Sequence, residues 1–292
     1  RPPAVAGRFY EGTSETLRHQ IEVCFLHDLG PGKLPPQAPV HDDMPILGLV
    51  CPHAGYMFSG PTAARAYYQL ALQPPPDAII IIGPDHHSWA PDAGVYPEGS
   101  WLTPLGEVSV AEDIAQRIVN ACPYAEANAR AHTAEHSLEV QIPFIQFCYP
   151  SPPPIVPIIM GRQVPEVARA LGDAIADAVQ DIRAVLIAST DFTHYESHSQ
   201  AQKKDAKVLE RIEALDADGV FDAVARYHVS MCGYGATATL LHACRKLGST
   251  VAKVLGYSTS GDIIRDYSQV VGYGAVAVLR ANFTASDLEQ MD

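Results

Sequence analysis

Short apolar runs that alternate with longer helical patterns constrain the fold of this chain more than any other feature of its sequence. Runs rich in Val, Ile and Ala predict β-strands over 46–50, 78–82, 155–159, 184–188, 251–254 and 272–279. The stretches between them predict helices over 61–72, 110–119, 136–147, 164–179, 200–215, 219–227 and 235–246. Several strand candidates are apolar almost throughout, which is typical of strands covered on both faces. The alternation therefore predicts an α/β protein, a three-layer α/β/α arrangement with a central, mostly parallel or mixed sheet.

The connections between these elements indicate a single domain. The chain has 292 residues, a length that suits one large domain or two small ones. Proline-rich stretches at 31–39, 74–76 and 150–154 are only a few residues long and lie between predicted elements. Such short segments are typical of rigid connectors and not of a linker between domains. No repeat of fixed period is present, so residues 1–292 are predicted to form one domain.

The balance of charged and apolar residues argues against several classes of protein. Asp and Glu number 33 against 20 Lys and Arg, and this net charge of −13 disfavours binding to nucleic acid or to an anionic membrane surface. Apolar runs such as 78–82 and 275–279 are too short to cross a bilayer, and Arg1-Pro2-Pro3 does not begin a signal-peptide pattern. The 6 cysteines include no CxxC pair, so a disulfide scaffold is not expected. We therefore expect a cytoplasmic protein with reduced thiols.

Histidines that follow predicted strands point to a functional site. His53, His86 and His194 each come a few residues after a strand, in the sequences CPHAGY, GPDHH and STDFTH. In open α/β folds, ligands bind beyond the carboxyl ends of the strands, where such loops meet. A single histidine there is more often a hydrogen-bonded or packing residue, but the joint pattern favours a metal ion or acid–base chemistry. Of His86 and His87 we prefer His86 as the residue that faces the site, although the sequence barely separates the two.

The segment TAEHSLEVQ carries a further histidine. Thr133 or Ala134 is predicted to open a helix, with Glu135 and Glu139 one turn apart and His136 near the positive end of the helix. One interpretation is an ordinary acidic first turn. The other places His136 at the rim of the site, as a hydrogen-bond donor to substrate or to bound oxygen.

Cys232 lies just before the helix predicted over 235–246. A helix N-terminus lowers the pKa of a nearby thiol, whereas the alternative is a buried, inert cysteine. Two histidines and this cysteine are able to hold a metal with open positions, or Cys232 acts as a nucleophile with a histidine as base. In either scheme Asp191, three residues before His194, is placed to orient a histidine. The absence of HExxH, a phosphate-binding glycine loop and GxSxG removes the zincin, P-loop and serine-hydrolase interpretations.

Several segments of the sequence resemble the Memo family, whose prokaryotic members are called AmmeMemoRadiSam system protein B. They are AGRFY (6–10), PHAGYMFSG (52–60), IIIGPDHH (80–87), EHSLEVQIPF (135–144), ASTDFTHY (188–195) and MCGYGA (231–236). Their order and spacing are compatible with the family from near Ala4 to about Leu279. The resemblance implies a fold like that of the class III extradiol dioxygenases of the LigB type, with helices on both faces of a central sheet.

The resemblance also implies a metal site. The related dioxygenases hold non-haem Fe(II) with two histidines and one carboxylate. By resemblance, His53 and His86 match the two histidine ligands, and Cys232 stands where those enzymes have Glu. His194 matches the acid–base histidine, and His136 resembles a second histidine of the pocket. A thiolate reduces the Lewis acidity of iron and is open to oxidation. Copper or zinc are therefore alternatives to Fe(II), and the resemblance does not by itself imply the ring-cleaving activity of the dioxygenases.

These implications lead to three functional hypotheses. The first is an O2-dependent oxidoreductase for a small, aromatic substrate, with His194 and His136 as catalytic residues supported by Asp191. The second is a metal carrier or interaction module without turnover, and the third is a hydrolase with Cys232 as nucleophile. The family name implies radical-SAM and AMMECR-type partner proteins. Animal Memo proteins bind phosphotyrosine-containing receptor tails through an aromatic position that is Phe9 here, but the acidic charge of this chain does not favour that role.

Overall fold

The computed structural model describes residues 1–40 and 42–290 and contains one large sheet flanked by helices. The strands are β1 (Ile46–Cys51), β2 (Ala78–Pro84), β3 (Ala93–Val95), β4 (Ser100–Thr103), β5 (Gly106–Ser109), β6 (Ala125–Ala127), β7 (Ile155–Met160), β8 (Ala184–Ser189), β9 (His194–Glu196), β10 (Ala252–Thr259) and β11 (Val270–Leu279). The helices are α1 (Ser14–Leu26), α2 (Tyr56–Ala71), α3 (Glu112–Ala121), α4 (Ile142–Cys148), α5 (Pro165–Val179), α6 (His198–Glu213), α7 (Ala217–Tyr227), α8 (Tyr234–Lys246), α9 (Ser260–Ile264) and α10 (Ala285–Gln290). Every predicted strand is therefore present, with its ends shifted by a few residues.

The large sheet is mixed, with a parallel centre. Its strand order is β10-β11-β1-β8-β2-β7-β3-β6, while β9 pairs with β11, and β4 and β5 form a separate two-stranded sheet. The central strands β1, β8, β2 and β7 run parallel to one another. By contrast, β11 is antiparallel to β1, and β3 is antiparallel to β7. Because β1, β8 and β2 are parallel neighbours, the loops that follow them meet at one edge of the sheet.

Apolar helix faces cover both sides of this sheet. Residues of α3, α5, α6, α7 and α8 form a hydrophobic cluster with one face, and residues of α1, α2 and α4 form another with the opposite face. Within β2, Ile80 and Ile82 enter the first cluster, whereas Ile79 and Ile81 enter the second. Successive side chains of a strand point to opposite faces, so a strand covered twice needs an apolar residue at every position. The three-layer α/β/α prediction is confirmed.

The prediction of a helix over 136–147 is wrong for the first half of this range. A short 3-10 turn leads into α4, which begins only at Ile142, so Glu135 and His136 lie in the irregular segment before this turn. Inside a helix, a proline lacks the N–H for the backbone ladder, and its ring clashes with the carbonyl four residues earlier. In the first turn neither problem arises, and Pro143 therefore lies at the start of α4.

Helix α1 and the short strands at the edge of the sheet were not predicted from the sequence. The buried residues of α1, Leu17, Ile21, Cys24 and Phe25, have helical spacing, so the signal for this helix was present. Strands such as β3 and β6 are three residues long, which is too short for any alternation to be recognised. Pro61 lies inside α2 and not at its start as predicted. Among the described residues, no helix is both long and apolar enough to cross a membrane.

Candidate metal centre

Loops that follow β1 and β2, the two strands on either side of β8, bring the two predicted histidine ligands together. The ring centroids of His53, after β1, and His86, after β2, are 5.3 Å apart. Cys232 joins them from the loop before α8, and one potential ligand atom from each of the three residues lies within 4.8 Å of the others. His87 stays outside this group, and its Nε2 lies instead 3.1 Å from the carbonyl oxygen of Ala134. The structure thus places His86, and not its neighbour, in the cluster.

His53 is buried and held by contacts on two sides. Its backbone N–H donates to Oδ1 of Asp191 at 2.8 Å, and its Nδ1 lies 2.9 Å from Oγ of Ser189. The other ring nitrogen, Nε2, lies 3.2 Å from Sγ of Cys232. Burial, reinforced by the neighbouring imidazoles, lowers the pKa of His53 well below its ordinary value. The ring is therefore neutral, which is the form that binds a metal.

His86 is paired with a buried carboxylate. Oε1 of Glu135 lies 2.9 Å from its Nδ1, and Oε2 accepts its backbone N–H at 2.7 Å. Burial alone would lower the pKa of His86, but the hydrogen bond and charge of Glu135 reverse this, and the pKa is raised. Conversely, burial would raise the pKa of Glu135, and His86 lowers it far below its ordinary value. The carboxylate occupies Nδ1 and leaves Nε2 as the ring nitrogen that is available to a metal.

The pKa of Cys232 agrees with the second of the two sequence interpretations, a buried cysteine. Its Sγ accepts a hydrogen bond from the backbone N–H of Asp191 at 3.2 Å and retains some exposure. The protein atoms around the sulfur desolvate a thiolate, and the nearby Asp191 carboxylate opposes a second negative charge, so the pKa of the thiol is raised. The lowered pKa that a helix N-terminus favours is therefore not found in the metal-free protein, because burial raises the pKa of this thiol.

His136 packs against the cluster of His53, His86 and Cys232 but is not one of these three residues. Its ring stacks on His86 with centroids 4.6 Å apart and lies 5.4 Å from the ring of His53. Phe9 covers it from another side, with centroids 4.5 Å apart. Burial lowers the pKa of His136 to about 4, although the charge of Glu135 opposes this effect. His136 is thus a neutral imidazole beside the cluster, and it lies in an irregular segment and not in a helix.

Asp191 and His194 are close to the cluster but do not pair with each other as the sequence suggested. Asp191 is buried, and its Oδ2 lies 4.0 Å from Nε2 of His53. Burial raises the pKa of this carboxyl to about 6, against the hydrogen bond from the backbone of His53. His194 is partly exposed, and its Nδ1 lies 2.8 Å from the carbonyl oxygen of Ser230. Asp191 therefore supports the His53 loop, and a backbone carbonyl orients His194.

Sequence analysis gave Glu139 no role beyond a helix turn, yet it is fully buried and anchors the N-terminal segment. Its carboxylate accepts a hydrogen bond from the hydroxyl of Tyr10 at 2.7 Å and further bonds from two backbone N–H groups of the same segment. These bonds hold the segment that places Phe9 on His136. The one available signal was the pair of carboxylates Glu135 and Glu139, four residues apart, which the sequence pattern assigned to the first turn of a helix.

The donor set fits a transition-metal ion. Two imidazole nitrogens and one sulfur suit iron, copper and zinc, and three protein ligands leave positions open for other groups. The carboxylate behind His86 is the arrangement that metal-binding histidines commonly have. His86, Glu135 and His136 also bring three potential ligand atoms within 4.8 Å, but Glu135 already accepts several N–H groups. Fold and cluster together define an α/β protein with a candidate His/His/Cys metal centre.

Comparison with known proteins identifies the family. The sequence model described as “Memo-like protein” matches residues 1–277. A MEMO1 family protein of Methanopyrus kandleri is 46% identical over 282 residues, which cover 96% of this chain and 99% of that protein. Another, from Sulfurisphaera tokodaii, is 43% identical over 279 residues, which cover 94% and 98%. This chain therefore belongs to the Memo-like protein family.

A solved structure supports the fold independently. The crystal structure of an uncharacterized protein from Escherichia coli K12 matches with a TM-score of 0.50 and covers 78% of this chain and 99% of that chain. The two sequences are only 15% identical, so this likeness shows the fold alone.

Proposed function

We propose that this protein is a metal-dependent oxidoreductase that binds Fe(II) at His53, His86 and Cys232 and uses O2 on a small, aromatic substrate. The observation that carries the proposal is the approach of three potential ligand atoms to within 4.8 Å of one another, beside two further histidines. The reaction class comes from the extradiol dioxygenases that the sequence resembles. When bound, the metal would supply Lewis acidity and redox chemistry at positions that the protein leaves open.

His194 is the residue that we propose to move a proton at the substrate. Its Nδ1 faces the carbonyl oxygen of Ser230, which only accepts hydrogen bonds, so Nδ1 carries the ring proton. Nε2 is then free to take a proton from a substrate hydroxyl. A partly exposed imidazole with an accepting nitrogen is suited to act as a general base.

His136 and Asp191 have supporting roles in this proposal. His136 is neutral, since its pKa is lowered to about 4 by burial, and it is proposed to donate a hydrogen bond to an oxygen that gains negative charge. Asp191 accepts the backbone N–H of His53 through its carboxylate, while its own backbone N–H donates to the sulfur of Cys232. One residue thereby holds the loops of two proposed ligands in place.

A metal carrier without turnover is a second candidate, and the sulfur ligand favours it. Thiolate ligands suit copper(I) and zinc as well as iron. A carrier would need the same three ligands but would not need His194 as a base.

Metal analysis of protein purified without O2 tests the ligand set. Wild type is expected to retain near-stoichiometric iron, and Cys232→Ser is expected to retain much less. Cys122→Ser is the matched control, because this buried cysteine caps the end of α3 and belongs to no ligand cluster among the described residues. Full iron content in Cys232→Ser would overturn the ligand set, and copper or zinc in wild type would favour the carrier.

His194→Gln separates the enzyme from the carrier. With catechol as the probe, this variant is expected to keep its iron while O2 consumption falls at least about 100-fold, the usual contribution of a general base. Equal O2 consumption by wild type and His194→Gln would contradict the proposed role of this residue. Iron-loaded wild type that consumes no O2 with catechol would support the carrier.

A further inference from the structure

A buried hydroxyl contacts the ring nitrogen of His53 that faces away from Cys232. Ser189 ends β8 and is fully buried, and its Oγ lies 2.9 Å from Nδ1 of His53. Two other groups contact the same oxygen, the carbonyl oxygen of Ser137 at 2.6 Å and Nε2 of Gln141 at 2.8 Å. The hydroxyl therefore has three polar neighbours but only one proton to donate.

The neighbours of Ser189 determine where that proton goes. A carbonyl oxygen only accepts, so the hydroxyl donates to Ser137, because two oxygens 2.6 Å apart need a proton between them. The amide of Gln141 is oriented by the carbonyl oxygen of Pro52, which lies 3.0 Å from Nε2, and Tyr67 donates to Oε1 at 2.6 Å. The NH2 group of Gln141 thus donates to Oγ of Ser189. Only a lone pair of that oxygen remains for the third neighbour.

We infer that Ser189 is a positioning residue that sets the tautomer of His53, with the ring proton on Nδ1 and a bare Nε2 facing Cys232. The remaining lone pair of the hydroxyl pairs with an Nδ1–H and would repel a bare Nδ1. The bare Nε2 lies 3.2 Å from Sγ of Cys232, within reach of the thiol proton. That the lone pair on Nε2 of His53 binds a metal rests on the proposed function, whereas the tautomer itself does not.

The two imidazoles reach the same tautomer through partners of different charge. His86 is paired with the carboxylate of Glu135, whereas His53 is paired with a neutral hydroxyl. A carboxylate at position 189 would stand beside buried Asp191, and like charges that share a buried site are unfavourable. A carboxylate partner makes an imidazole a more basic ligand than a hydroxyl partner does. The geometry therefore makes His86 the stronger donor of the two.

Nitrogen-15 NMR of metal-free protein labelled at histidine tests the tautomer directly. The signals of His53 are identified by their loss in His53→Gln. In wild type we expect the ring proton on Nδ1 and an unprotonated Nε2. A proton on Nε2 of His53 would overturn the inference, whatever metal the protein binds.

Variants of Ser189 test the consequence for metal binding, with Co(II) as the probe. Ser189→Ala removes the acceptor, and we expect both tautomers in the NMR spectrum and a Co(II) affinity about 10- to 100-fold lower. Ser189→Thr keeps the hydroxyl and is expected to recover most of the affinity. Ser258→Ala is the matched control, because it removes a buried strand hydroxyl that hydrogen-bonds with the hydroxyl of Thr62, and this variant should bind Co(II) as wild type does.

The outcomes distinguish the positioning role from the metal centre itself. If wild type binds no Co(II), the metal centre fails, and the spectrum of wild-type His53 still decides the tautomer. If Ser189→Ala keeps both the wild-type tautomer and the wild-type affinity, the positioning role is wrong while the metal centre stands. Should Ser189→Ala not fold, the wild-type spectrum and Ser189→Thr carry the test.

Discussion

The buried carboxyl of Asp205 should make the stability of this protein fall as the pH rises through the weakly acidic range. Asp205 lies on α6 and is fully buried. It accepts hydrogen bonds from the backbone N–H and the hydroxyl of Thr193 at 3.1 and 2.6 Å, and from the hydroxyl of Tyr257 at 2.7 Å. Desolvation outweighs these bonds and raises the pKa of Asp205 from 3.8 to about 6.

The sign and size of the effect follow from this pKa. The folded state binds the proton more tightly than the unfolded state, so the contribution is fully present below the unfolded pKa of 3.8 and is lost as pH rises through about 6. A difference of roughly two pKa units corresponds to about 3 kcal/mol of unfolding free energy. About half of this, on the order of 1.4 kcal/mol, falls between about pH 5 and about pH 8.

Urea unfolding of wild type and Asp205→Asn at several pH values isolates this carboxyl from all the others. We expect the free energy of unfolding of wild type, minus that of the variant, to fall by about 1.4 kcal/mol from about pH 5 to about pH 8. Asp222→Asn, which replaces an exposed aspartate on α7, is the matched control and should show no such trend. A flat or rising difference for Asp205→Asn would refute the reasoning, since it would mean that the hydrogen bonds outweigh burial.

Three further substitutions test the contacts around the site and the core. Glu135→Gln removes the charge behind His86 and should lower Co(II) affinity about 10- to 100-fold in a direct titration, with unchanged affinity counting against the pairing. Gly272→Ala places a Cβ against the carboxylate of Asp205 and should cost about 1–3 kcal/mol of unfolding free energy in urea; wild-type stability would mean that the carboxylate moves freely. Phe144→Ala removes a buried ring and should cost about 3–5 kcal/mol in the same assay, and a loss below about 1 kcal/mol would contradict its core position.

The central sheet could be predicted because its strands are buried on both faces. Residues 79–82 of β2 alternate between two hydrophobic clusters, and this requirement leaves a continuous apolar run in the sequence. The convergence of His53 and His86 followed from the same sheet, since β1 and β2 both run parallel to β8, which lies between them, and parallel strands end at one edge. Short edge strands such as β3 carry no such pattern and were missed.

The protonation states within the site could not be predicted in the same way. Proximity to α8 suggested a lowered pKa for Cys232, but the pKa is raised because protein atoms surround the sulfur. One interpretation of Glu135 was a carboxylate in an ordinary acidic first turn of a helix, yet it lies outside any helix and is fully buried against His86. Both errors have one cause, since desolvation depends on which distant segments pack over a group, and the local sequence does not contain that information.

The sequence by itself determined the layered α/β fold, the family and the residue types that gather at the edge of the sheet, because these follow from local periodicity and short motifs. Only the tertiary structure decided that His86 and not His87 faces the cluster, and that Ser189 lies behind His53. Residues 53 and 189 are 136 positions apart in the chain, and a hydrogen bond of 2.9 Å joins them. Such a contact is specified by the packing of the whole sheet, because hydrogen bonds depend on distances of a few tenths of an ångström that no local pattern encodes.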